Sequence, residues 1–167
     1  MLSIHDPIVS DIVYTHSLKP YPDLVIDPKD ITKGKEIGEG RLAKVFSIEH
    51  TIDGQTFEAA FKETYIDNQI FFLKFFNEME ILNQLHHPAI TKLIGWGIAE
   101  RNGDDNKIEY FPCTIIEKAD VGNFQKALDS YPRQQRIFLP TVVYCIANAL
   151  IYQHRLKISH NDIKADN

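Results

Sequence analysis
The chain has 167 residues, a formal charge of −5, and 44% hydrophobic against 25% charged residues. This is globular composition, enough for one domain with a real core. The acidic balance, with Lys and Arg scattered and in no basic run, excludes a general nucleic-acid binder.

Cys113 and Cys145 lie inside apolar segments, which predicts buried thiols, a reducing compartment and a cytoplasmic protein. Asp6 and Asp11 with no apolar core between them argue against a signal peptide. No apolar run is expected to reach the roughly 20 residues of a spanning helix, so no membrane is expected.

Residues 1–30 contain Pro7, Pro20, Pro22 and Pro28 and predict an extended arm. From Ile31 the pattern is strand-like. Residues 31–37 lead into Gly38-Glu39-Gly40, and residues 43–49 alternate with one slip at Phe46 and Ile48. Asp53-Gly54 is a hairpin turn signal, and residues 57–64 follow as a third strand. Residues 68–85 switch to helical period, with Phe72, Phe75, Phe76, Met79 and Leu82 on one stripe, ended by His87-Pro88. Residues 90–98 and 110–116 read as two more strands, joined by a polar turn at 101–107. The expectation is α+β: a five-stranded antiparallel sheet with one helix. After a linker at 118–122, helices are expected at 123–128 and 140–156, with Pro140 in the first turn of the second. The polar run His160-Asn161-Asp162-Ile163-Lys164-Ala165-Asp166-Asn167 closes the sequence.

Four features carry chemistry. Gly38-Glu39-Gly40-Arg41-Leu42-Ala43-Lys44-Val45 is either a Gly-rich hairpin bend or a loop whose backbone approaches phosphate oxygens. A dinucleotide fold would need a helix straight after the glycines, and a strand is expected there instead. Lys62 ends the apolar run Ala59-Ala60-Phe61, as an edge lysine or as a cation aimed at polyphosphate. Glu78 lies in the line Phe71, Phe75, Leu82, Leu85, or just off it; in that line a carboxylate needs a partner, and Lys62 is available. In the final run, Asp162 can accept a hydroxyl proton, Lys164 can neutralise a phosphoryl group, and Asn167 can ligate Mg²⁺. The competing reading is a polar tail, against which Ile158 and Ile163 bracket the loop.

Taken in order, G-x-G-x-x-A-x-V, A-A-F-K, a helix Glu, H-P-A-I, a strand ending in Glu117, A-L-I-Y-Q-H and H-N-D-I-K-A-D-N resemble the eukaryotic protein kinase signature set. The resemblance covers about 31–167. It implies an N-lobe at 31–117 and, at 118–167, a hinge and the start of a helical C-lobe ending in the catalytic loop, with 1–30 as an extension. It implies ATP and Mg²⁺ as cofactors and a protein substrate as partner. Gly38, Gly40 and Ala43 would cover the phosphates, with Ile37 beside them, while Val45 and Ala60 pack on adenine. Lys62 would hold the α- and β-phosphates and pair with Glu78. Ile116 would be the gatekeeper, and Glu117 to Ala119 would read the adenine edge, with Asp120 or Asn123 facing the ribose. Asp162 would be the base, Lys164 the γ-phosphate contact and Asn167 a metal ligand.

Lys164 leans to serine/threonine kinases, and I-G-W-G towards the tyrosine-kinase-like group. Asn161 stands where the family has Arg, which speaks against regulation through a phosphorylated activation loop. With no D-F-G after Asn167, the expectation is a truncated domain, inactive alone. The alternatives are a non-catalytic nucleotide-binding scaffold, or a small-molecule kinase of related fold.

Overall fold
A computed structural model describes residues 24–40, 43–52, 54–65, 69–102, 108–133 and 135–165. The expectations for residues 1–23, for the turn at 103–107 and for Asn167 lie outside these residues. The chain divides into two compact units. One holds a sheet and helix α1; the other holds residues 85–91 and 118–167 with helices α2 and α3.

In the first unit the strands are β1 (Glu36–Glu39), β2 (Ala43–Ile52), β3 (Gln55–Thr64), β4 (Leu93–Asn102) and β5 (Ile108–Glu117). Helix α1 (Gln69–Gln84) lies between β3 and β4 in sequence. The sheet order is β1-β2-β3-β5-β4, antiparallel throughout. Gly54 adopts φ +78 in the turn where Ile52 faces Gln55, the left-handed geometry that a two-residue hairpin needs. Pro112 lies inside β5 where pairing with β3 has stopped at Cys113, opposite Ile98 of β4.

Side chains alternate across a strand, so the register sorts them by face. Gly38, Val45, Lys62, Thr114 and Trp96 form one cross-strand row; Ser47, Ala60, Ile116 and Leu93 form the next on the same face. On this face α1 buries Phe72, Phe75, Phe76 and Met79 against Leu93 and Trp96, with Phe76 and Trp96 edge-on at 5.8 Å. Each buried ring contributes about 1.5–3 kcal/mol. The opposite face buries Ile48, Ala59, Phe61, Cys113 and Ile115 under Ile26 and Ile31. The slip in the β2 pattern is thereby explained: Val45 serves one covered face, Phe46 and Ile48 the other.

The segment before β1 lies over β4. Val25 bridges Trp96, and Ile26 N donates to Trp96 O at 2.9 Å. This approach requires glycine: a Cβ on Gly97 would stand 2.5 Å from Ile26 O, and one on Gly95 2.8 Å from Ile26 Cγ2. The I-G-W-G run is thus a docking track for the chain's own earlier segment.

In the second unit, α2 (Phe124–Ser130) is capped by Asn123, whose side chain accepts from Lys126 N at 2.9 Å. Helix α3 (Gln135–Arg155) ends with Lys157 at φ +64; Lys157 N donates to His154 O, and Ile158 N to Gln153 O. That pair of bonds is a Schellman closure, made here without its usual glycine.

Three expectations are corrected. The first strand begins at Glu36 rather than Ile31, although Gly34 N to Ser47 O and Ser47 N to Lys35 O already tie its approach to β2. The fourth begins at Leu93, after a turn at 88–90. Pro140 lies inside α3, not in its first turn, because the helix starts at Gln135; the proline then removes one interior bond. In addition, Ile137–Arg155 is long and apolar enough to cross a membrane by length and composition. Its interior polar residues Thr141, Asn148 and Gln153 are uncharged, and Arg155 stands only at its end.

Candidate active site
The first unit gathers one set of expected residues. Gly38, Val45, Ala60, Lys62 and Ile116 share one face through the register alone. Lys62 Nζ reaches Glu78 Oε1 on α1 at 3.0 Å. The lysine is 29% and the glutamate 50% exposed, so this pair contributes at most about 1 kcal/mol to stability. Its consequence is orientation: it holds an ammonium beside the glycine strand. Glu78 therefore stands at the border of the helix stripe, with its charge paired.

The glycines divide into two kinds. Gly34, Gly95 and Gly97 have no room for a side chain. Gly38 and Gly40 do: a Cβ on Gly38 would meet Val45 only at 3.7 Å, and one on Gly40 would meet Ala43 O at 3.8 Å. Neither has a positive φ. The protein's own packing does not demand glycine at these two positions, which is the pattern expected where a ligand must approach the backbone. Gly40 N donates to Ala43 O at 2.8 Å and closes the turn into β2, where Ala43 starts the strand. Ile37 is the extra residue at the register shift of the β1–β2 ladder, and over a third of it is exposed.

Lys44 lies between Glu39 at 3.2 Å and Glu36 at 3.5 Å, and the Glu39 carboxylate raises its pKa first, followed by Glu36. Ile116 pairs with Ala60 and packs on the α1 cluster. Glu117 ends β5, its N donating to Lys92 O at 3.0 Å.

The second unit holds the other set. Ala119 O accepts from Gly122 N at 3.3 Å in a turn where Gly122 has φ +84. Asn123 spends its side chain on the α2 cap, and Asp120 is exposed. After the α3 closure, Asn161 adopts φ +61, and Asp162 N donates to His160 Nδ1 at 3.3 Å. Asn accepts a left-handed backbone more readily than the Arg of the family pattern. Lys164 Nζ stands 3.1 Å from Asp162 Oδ2, both more than half exposed. Ala165 O accepts from Gln125 N at 2.9 Å, which ties the loop to the first turn of α2. Among the described residues no group of three His, Cys, Asp or Glu side chains could hold a metal ion.

Sequence reasoning missed one charged pair. Glu63, 1% exposed, takes an ion pair from Lys33, whose ammonium also lies 5.3 Å from the Phe46 and 5.5 Å from the Phe61 ring centroid. The signal was present: alternation from Lys62 puts Glu63 on the apolar face, where a carboxylate needs a partner. Burial, and then the nearby Glu63 charge, push the Cys113 thiol up to about 12.

A sheet with a phosphate-loop-like glycine strand, a strand lysine paired to a helix glutamate, and a following helical unit with an His-Asn-Asp loop define a kinase-type scaffold. A family model described as the protein kinase domain matches residues 31–167. The chain is 31% identical over 152 residues to an Aurora kinase of Saccharomyces cerevisiae, covering 90% of this chain and 38% of that protein. It is 28% identical to an Aurora kinase of Candida albicans, covering 90% and 27% respectively. It is 28% identical to a serine/threonine-protein kinase of Drosophila yakuba, covering 81% and 17%. The chain thus spans less than half the length of these relatives. It belongs to the protein kinase family.

Proposed function
We propose that this chain binds ATP and takes part in transfer of its γ-phosphoryl group to serine or threonine hydroxyls of a protein. The observation that carries the reading is the Lys62–Glu78 pair on the face that also bears Gly38, Val45, Ala60 and Ile116. Gly38, Gly40 and Ala43, with Ile37 beside them, cover the phosphates, and Lys62 neutralises the α- and β-phosphates. Val45 and Ala60 offer small apolar surface to adenine, Ile116 limits the depth of its pocket, and Glu117 to Ala119 meet its edge. Asp162 accepts the acceptor hydroxyl's proton. Lys164, now paired to Asp162 at 3.1 Å, is the cation for the transferring group. Asn167 would hold the magnesium that accompanies ATP, and that ion would supply further neutralisation of phosphate charge. Lys164 and the serine/threonine-protein kinase relative support the acceptor class. Cys113 is buried while Cys145, expected to be buried, is exposed; as free thiols both support a reducing, cytoplasmic setting.

The test is Mg·ATP binding, with phosphate incorporation into peptide pools carrying Ser, Thr or Tyr, set against Lys62→Met and Asp162→Asn. Lys62-dependent binding and Asp162-dependent labelling of Ser or Thr pools are expected. A wild-type chain that binds no nucleotide, or that labels only Tyr, would refute the reading.

A further inference from the structure
Consecutive residues of β3 carry ion pairs on opposite faces. Lys62 joins α1; Glu63 joins Lys33, three residues before β1. The β1–β2 ladder between them is irregular. Lys35 and Gly34 bond Ser47, Glu36 faces Phe46, and then the register shifts so that Gly38 faces Val45. A shift of this kind leaves one residue, Ile37, without a cross-strand mate and loosens the pairing beyond it. Slippage by one residue would move every side chain of β1 to the other face. Beyond the shift only Gly38–Val45 and Glu39–Lys44 remain paired, with the exposed Lys44 ion pairs beside them, so a contact outside the ladder adds to what fixes the segment.

We propose that the Lys33–Glu63 pair is the register lock of the glycine strand, a positioning pair that keeps Gly38 and Gly40 in the row of Lys62. Its place fits that role. Lys33 precedes the shift, so together with the Gly34 and Lys35 bonds to Ser47 it anchors the strand on the side from which the shifted glycines are placed. Glu63 lies beside Lys62 in the chain, so the lock refers the glycines to the lysine they serve. The Phe46 and Phe61 rings hold the ammonium in place and restrict where it can sit. Burying an ion pair is a poor way to gain stability, while fixing register is its best-attested use. The inference rests on the nucleotide-binding reading for its consequence, but not for its structural claim.

The test uses the whole chain with Lys33→Met, which keeps the stem of a side chain that is 34% exposed, and with Lys33→Met/Glu63→Leu, which removes both charges. Two quantities are read: backbone amide exchange, and affinity for a fluorescent ATP analogue with Mg²⁺. For the double variant, faster exchange confined to residues 34–45, with affinity weakened about tenfold and the melting temperature within a few degrees of wild type, is expected; Lys33→Met, which leaves the buried Glu63 carboxylate without Lys33, should show the same local exchange on top of a larger loss of melting temperature. Wild-type exchange at 34–45 would overturn the lock. So would loss of protection spread evenly over β2, β3 and β5, which would make the pair a general stability element. If wild type binds no analogue, the functional reading fails, and the exchange pattern still decides the lock. If wild type binds and the variants bind equally well, the functional reading stands and the positioning role falls.

Discussion

The two kinds of glycine give opposite predictions, and these can be worked from distances. In Gly97→Ala the new methyl would lie 2.5 Å from Ile26 O and 3.1 Å from Pro28 Cγ. A backbone oxygen at that distance cannot turn aside as a side chain could, so the segment over β4 must lift. Overpacking of this sort costs about 1–3 kcal/mol. With a urea slope of about 2 kcal/mol per molar, the unfolding midpoint should fall by roughly 0.5–1.5 M. In Gly38→Ala the methyl meets only Val45, at 3.7 Å and 3.8 Å, which is ordinary contact. No positive φ opposes it, and the unfolded chain loses freedom, so stability should hold or rise by up to about 1 kcal/mol. Nucleotide affinity should nevertheless drop about tenfold, because the methyl stands where a phosphate must approach the backbone. Urea denaturation and titration with a fluorescent ATP analogue measure both. An unchanged midpoint for Gly97→Ala would refute the close-approach account of β4. A lower midpoint with unchanged affinity for Gly38→Ala would refute the distinction between structural and functional glycines.

Lys62→Met should abolish measurable ATP binding while moving stability by no more than about 1 kcal/mol, since its partner Glu78 is half exposed; calorimetric titration and thermal unfolding separate the two. At Asn161, with φ +61, Asn161→Ala should cost roughly 1 kcal/mol and Asn161→Gly close to nothing, as read by denaturation. Cys113 gives a pH prediction. Its folded pKa of about 12 lies above the ordinary value of 9.0, so between these the unfolded chain releases a proton that the folded chain keeps. Stability is therefore full below about pH 9 and falls by about 1.4 kcal/mol per unit above it, a loss that Cys113→Ala should remove from the pH–stability curve.

Much of the sheet was legible because its signals are local. The Asp53-Gly54 turn sets the β2–β3 register, and that register alone places Val45 opposite Lys62. The stripe of α1 was legible for the same reason: Phe72, Phe75, Phe76 and Met79 are spaced to one face and are all buried. What was not legible depends on partners far along the chain. Gly95 and Gly97 look like flexible residues in a strand until Ile26, some seventy residues earlier, is seen lying over them. Pro140 looked like a helix start because a proline usually marks one, yet the helix tolerates it inside. Glu63 was overlooked because Lys62, its neighbour, already satisfied a familiar pattern.

The charges at 62 and 63 show how β3 works. A strand that is covered on both faces cannot place a charge without placing a partner for it. On one face Lys62 is matched by Glu78 from the helix; on the other Glu63 is matched by Lys33 from the segment that leads into the glycines. Alternation forces the two partners to come from different sides of the sheet. Moving either charge by one position would therefore break both arrangements at once: the lysine would turn into the apolar face under Ile26 and Ile31, and the glutamate would turn towards Glu78. The order Lys-Glu at 62–63 is thus fixed mainly from the buried face of Glu63, with the half-exposed Lys62–Glu78 pair adding little. The swapped variant Lys62→Glu/Glu63→Lys should lose the folded sheet, where an exposed swap would be silent.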